Sequence, residues 1–142
     1  MSRRVVLVVE DEPVARETLL EVIADEGYPV AAAGNGREAL AWLRGNPAPA
    51  LVLLDLMMPD LDGRGFLAAL ADDPGLATLE VVVLSAGSDV ELADVARSTG
   101  RRVLGKPVDL EDLLGVIAGA CGRSFRPGDA LDAGDGGPTP RG

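Results

Sequence analysis

The chain has 142 residues, 47% hydrophobic and 25% charged, a balance that excludes a disordered or fibrous protein and suits one globular domain. With 23 acidic against 13 basic residues its net charge is −10, which repels phosphate backbones and anionic lipid and argues against direct nucleic-acid binding. Histidine is absent and Cys121 is the only cysteine, which excludes Ser-His and Cys-His nucleophile pairs, His-rich zinc sites, a phosphohistidine donor role and an intramolecular disulfide.

Residues 5–9 form the first short apolar run, and Glu10-Asp11-Glu12 follow it. Pro13 suits the first position of a helix, where its missing N–H is not needed, and Leu19, Val22 and Ile23 then share one face. Residues 28–33 read as a weaker strand. Asn35 and Glu38 have capping-box spacing and open a second helix that carries Trp42. The run 50–54 leads into Asp55, and a less clearly bounded helix surrounds 66–70. The run 81–84 ends at Ser85, after which Ser88 and Glu91 repeat the capping-box spacing. Val103 and Leu104 form the last run, followed by Lys106-Pro107, and Asp109 caps a helix with Leu110, Leu113, Leu114 and Ile117 at helical spacing.

These runs are nearly continuous rather than alternating, the pattern of strands buried on both faces of a parallel sheet. Strand and helix alternate five times, so the expected fold is α/β, a doubly wound five-stranded parallel sheet with helices on both faces. Residues 1–121 are expected to form this domain. Residues 122–142 are rich in Gly, Pro, Asp and Arg without an apolar period and are expected to be a flexible tail with no output domain. No stretch approaches the ~20 apolar residues of a membrane span and the N-terminus lacks a signal-peptide pattern, so a cytoplasmic protein without membrane insertion is expected.

Sites of open α/β sheets form beyond the carboxyl ends of the strands. The residues at those ends are Glu10, Asp11 and Glu12, then Asp55, Ser85, and Lys106. Taken singly, Ser85 reads equally as a turn-capping hydroxyl, Lys106 as a solvated lysine, and Glu10 or Asp11 as a helix cap. Asp55 differs, because a carboxylate set in an apolar run needs a metal or a cation to offset its burial. Together they offer oxygen ligands for a hard cation such as Mg2+, a nucleophilic carboxylate, a positive charge and a hydroxyl donor. With charge neutralised by the metal, a carboxylate can attack phosphorus, and Lys106 with Ser85 would hold the phosphoryl oxygens.

The stretches 8–13, 55–63, 84–86 and 106–108 closely resemble the receiver domains of bacterial two-component response regulators. The resemblance covers residues 4–120 in order and spacing, and it implies the flavodoxin-like strand order 2-1-3-4-5. It implies a phosphorylation-dependent switch, not a multiple-turnover enzyme, which assists its own phosphorylation and dephosphorylation. Asp55 would accept the phosphoryl group from a histidine kinase or histidine phosphotransfer protein. Asp11 and Asp55 would bind Mg2+ directly, Glu10 through a water, and Met57 through its backbone carbonyl. Ser85 and Lys106 would hold the phosphoryl group, the Lys106–Pro107 bond would be cis, and Gly63 would suit the turn after the acceptor strand. Met57 and Gly87 would lie beside the phosphoryl group without orienting water, which implies a long-lived phosphorylated state. The downstream target is unknown from sequence.

Two residues depart from the family pattern: Val103 replaces a frequent Tyr or Phe, and Val108 a frequent Phe, so phosphorylation has more support than the usual readout. Two other readings remain. A haloacid dehalogenase-type phosphatase shares the Asp, magnesium, hydroxyl and Lys, but its nucleophile lies in Asp-x-Asp after the first strand, where this chain has Glu10-Asp11-Glu12 and no room for a cap domain. A binding module that no longer takes phosphate is supported by Val103 alone.

Overall fold

The computed structural model describes residues 4–56 and 63–124, and only the backbone of 122–124. The elements alternate as β1 (Val6–Val9), α1 (Pro13–Asp25), β2 (Val30–Ala33), α2 (Gly36–Gly45), β3 (Leu51–Asp55), α3 (Gly63–Ala71), β4 (Val81–Ser85), α4 (Asp89–Thr99), β5 (Arg102–Gly105) and α5 (Leu110–Ser124). All strand pairs are parallel and the order is β2-β1-β3-β4-β5, the expected flavodoxin-like arrangement. Alternate strand residues feed two separate cores. Leu7, Val9, Val52, Leu54 and Val83 meet Leu40 and Leu43 of α2 and Phe66 and Leu70 of α3. Val6, Val8, Leu51, Leu53 and Val82 meet Ile23 of α1 and Leu113 and Ile117 of α5. Each fully buried aliphatic side chain contributes roughly 1.5–3 kcal/mol. Both faces of the sheet are sealed, which is why the strands are continuous in hydrophobicity rather than alternating.

The packing also fixes register. A one-residue slip would exchange the two sets of side chains between cores built for different helices. In the observed register Asp55 lies opposite Leu84 and Ser85 opposite Gly105, so β3, β4 and β5 finish beside one another. Local chemistry places the helix starts. Glu12 caps α1 by accepting the Ala15 N–H at 2.7 Å, and Pro13 occupies the first position. Ser88 and Glu91 form the full reciprocal box at α4. At α2 only half the expected box forms: Asn35 accepts from the Glu38 N–H, whereas the Glu38 carboxylate accepts from Gly34 at 2.7 Å. Asp109 accepts from the Asp112 N–H at 3.1 Å, as a cap of α5 should.

Several element bounds differ from the sequence expectations. The strand expected at 28–33 is confined to Val30–Ala33, and the last strand is longer than expected, Arg102–Gly105. Helix α5 runs through Ser124, with Ala120 and Cys121 on its buried face. The rest of the expected tail, 125–142, lies outside the described residues.

Candidate functional site

Four strand ends converge on one patch. Glu10 follows β1, Asp55 closes β3, Ser85 closes β4 and Lys106 follows β5. The sheet bonds hold these ends together: the Glu10 N–H donates to Ala33 O at 3.1 Å and the Lys106 N–H to Ser85 O at 2.8 Å. Glu10, Asp55 and Ser85 are 3%, 5% and 7% exposed, the only buried polar or charged side chains among the described residues. Burying a carboxylate is costly unless a cation or donors answer it.

Lys106 supplies the cation. Its Nζ lies 3.1 Å from Asp55 Oδ1 and 3.7 Å from Glu10 Oε1. It is also the only lysine of the chain, whose other basic residues are all arginine, a signal the strand-end reading passed over. An ammonium is a compact point charge on a flexible stem, and it can follow a partner group that changes size, which the rigid guanidinium fork does less well. One carboxylate oxygen from each of Glu10, Asp11 and Asp55 lies within 4.8 Å of the others. Hard-oxygen donors this close fit a small divalent cation, which would offset the mutual repulsion of the three acids. Glu10 feels that repulsion: burial first, and Asp55 beside it, hold its carboxyl above the ordinary glutamate range, while the Glu12 N–H at 3.2 Å and Lys106 oppose the shift.

The remaining sequence-chosen residues are placed as follows. The Ser85 hydroxyl makes one long hydrogen bond, 3.3 Å to Ala86 O, so little holds it against a better acceptor. The Lys106–Pro107 peptide is cis, as the resemblance implied. Met57, assigned a backbone ligand role, lies outside the described residues. Gly63 is required for a different reason than the turn conformation. A Cβ there would stand 2.6 Å from both Cα and O of Leu56, so the start of α3 presses on the backbone just after Asp55. Gly87 has φ 135°, and the Glu91 carboxylate lies 2.8 Å from where its Cβ would be, so backbone conformation and the α4 cap explain this glycine. Val103 is half-buried and packs against the α2/α3 core, with no aromatic ring at that position to rotate. Arg16 was missed, because it lies one turn into α1 rather than at a strand end. Its guanidinium donates to Glu10 O at 2.9 Å and to Asp11 O at 3.4 Å.

Residues 6–118 match the family described as the response regulator receiver domain. The chain belongs to that family. Among curated relatives of this receiver, response regulator Rre1 of Synechocystis sp. is 35% identical over 126 residues, covering 87% of this chain and 54% of that protein. Transcriptional regulatory protein PdtaR of Mycobacterium tuberculosis is 38% identical over 133 residues, covering 91% of this chain and 62% of that protein. The receiver thus spans between about half and about two thirds of the length of these relatives. A solved response regulator receiver protein from Pseudomonas putida superposes with a TM-score of 0.75 at 31% identity, covering 84% of this chain and 98% of that one. The receiver fold and its place among two-component signalling proteins follow from these matches. No helix of the described residues is long and apolar enough to cross a membrane.

Proposed function

We propose that this receiver is a switch thrown by phosphorylation of Asp55, with Mg2+ as the metal and a histidine kinase or histidine phosphotransfer protein as donor. The observation that carries the reading is the buried Asp55 carboxylate, 3.1 Å from Lys106 Nζ and within 4.8 Å of the Glu10 and Asp11 carboxylates. An Asp55 oxygen attacks the phosphorus of the donor's phosphohistidine. The P–N bond breaks as the P–O bond forms, and the imidazole leaves with its electron pair and takes a proton from solvent. Asp11 and Asp55 would hold the metal, with Glu10 beside them, and the metal supplies charge neutralisation for the approaching phosphoryl group. Lys106 exchanges its Asp55 partner for a phosphoryl oxygen, and the Ser85 hydroxyl leaves its long bond to Ala86 for another.

A cavity of about 330 Å³ with mainly apolar walls, including Leu19, Val22 and Val108, opens beside Glu10 and Lys106. The reading makes the protein a single-event acceptor rather than a multiple-turnover enzyme, acting in the cytoplasm on a downstream partner that the site does not specify. Incubation with Mg2+ and acetyl phosphate followed by intact-mass measurement tests it. Wild type should gain one phosphoryl group, lost in alkali as expected of an acyl phosphate, and Asp55→Asn should gain none. Stoichiometric labelling of Asp55→Asn, or steady turnover of phosphomonoesters by wild type, would overturn the proposal.

A further inference from the structure

We infer that Arg16 is the positioning residue of the metal site: it sets the turn that presents Glu10 and Asp11, and it acts through their backbone rather than by touching metal or phosphate. The inference deepens the reading above and rests on it. Sheet bonding from β1 ends with the Glu10 N–H donating to Ala33 O, and helical bonding of α1 begins with the Arg16 N–H donating to Glu12 O. The carbonyls of Glu10 and Asp11 fall between the two ladders, and at part-buried positions they need other partners. Arg16 Nη1 serves both, at 2.9 and 3.4 Å.

One guanidinium therefore ties two consecutive peptide units, the ones whose side chains supply two of the three clustered carboxylates. The side chain is held in place as well. It is half-buried and lies beside Gly34, where a Cβ would come within 3.5 Å of its Nη1. Both bonds leave from the one Nη1 nitrogen, which the planar guanidinium holds in a fixed direction, whereas a lysine ammonium has donors enough for both carbonyls but ends a flexible stem with no such plane.

Charge and position predict opposite results on removal. Arg16 adds a positive charge near the acidic cluster, so loss of charge alone would tighten Mg2+ binding. Loss of positioning would weaken it, and groups that orient metal ligands typically account for 10–100-fold in affinity. Calorimetric titration of the metal-free full chain with MgCl2 separates them. Arg16→Met should weaken binding by roughly tenfold, the low end of that range because the support is indirect, and Arg16→Lys should fall between it and wild type. In the metal-free protein, hydrogen exchange at the Asp11 and Glu12 amides should quicken in Arg16→Met while the interior of α1 is unchanged.

Unchanged or tighter Mg2+ binding by Arg16→Met overturns the inference, as does faster exchange along all of α1, which would mark a mere helix staple. Should Arg16→Met fail to fold, Arg16→Lys decides, since wild-type affinity in that variant overturns it too. A wild type that neither binds Mg2+ nor is labelled would sink the proposed phosphorylation of Asp55 itself. A wild type that does both, with Arg16→Met matching it at every Mg2+ concentration, removes only Arg16.

Discussion

Gly63 and Gly87 carry constraints that their spacing in sequence does not disclose. At Gly63 the obstacle to a side chain is the Leu56 backbone at 2.6 Å, which cannot swing aside as the end of a side chain can. Gly63→Ala should therefore destabilise the domain by about 1–3 kcal/mol, the usual range for overpacking. It should also slow acetyl phosphate labelling, because Leu56 adjoins Asp55. A melting temperature and labelling rate both equal to wild type would show that the α3 start yields freely. At Gly87 the obstacle is φ 135°, a region other residues rarely adopt. Substituting Glu at Gly87 to vary the lifetime of the phosphorylated state would thus mix backbone strain with chemistry, and the cleaner test of lifetime substitutes Met57. Asp55, Ser85 and Lys106 were legible from sequence because each ends or follows an apolar run. The Gly63 contact was not, because an approach distance between α3 and Leu56 has no periodic or compositional trace.

Elements follow the same division between local and tertiary causes. The ends of α1, α4 and α5 were readable from Glu12-Pro13, Ser88 with Glu91, and Asp109, since a cap is a bond within a few residues. The Glu38 half of the α2 box failed because Gly34 offered its N–H to the same carboxylate. Helix α4 has no buried residue, so its cap matters more than packing. Bonds from the Ser88 backbone and hydroxyl hold the Glu91 carboxyl below the ordinary glutamate range. A depressed acid contributes stability above its unfolded pKa and loses it as pH falls through the folded one. Glu91→Gln keeps an acceptor without the charge. The melting temperature of wild type should exceed that of Glu91→Gln at pH 7, and the gap should close below about pH 4, under the unperturbed glutamate value. The other acids titrate alike in both proteins, so the difference isolates Glu91. A gap that does not shrink at all as pH falls below the ordinary glutamate range would mean the carboxylate charge is irrelevant to the cap.

At the scale of the molecule, the doubly wound parallel class was legible from apolar runs with helical connections, the strand order only through the family resemblance, and the site followed from the rule that strand ends converge. What stayed hidden was the division of labour around the acids, with Arg16 on the backbone and Lys106 on the side chains. That division leaves three clustered carboxylates facing one ammonium in a chain of net charge −10. Folding without a divalent cation therefore works against this patch, and the cation should couple to global stability. In chelator, Glu10→Gln should raise the melting temperature by a few degrees, on the order of 1 kcal/mol, because it removes one of the buried like charges. With Mg2+ the ranking should narrow or invert. Binding only to the folded state adds about 2.7 kcal/mol at a hundredfold excess over Kd, and wild type, with its full set of acids, should gain more of it than the variant. Thermal melts of both proteins with chelator and with MgCl2 measure the difference. If Glu10→Gln is less stable than wild type in chelator, Lys106 and the Glu12 N–H already outweigh the repulsion, and the patch is balanced without metal.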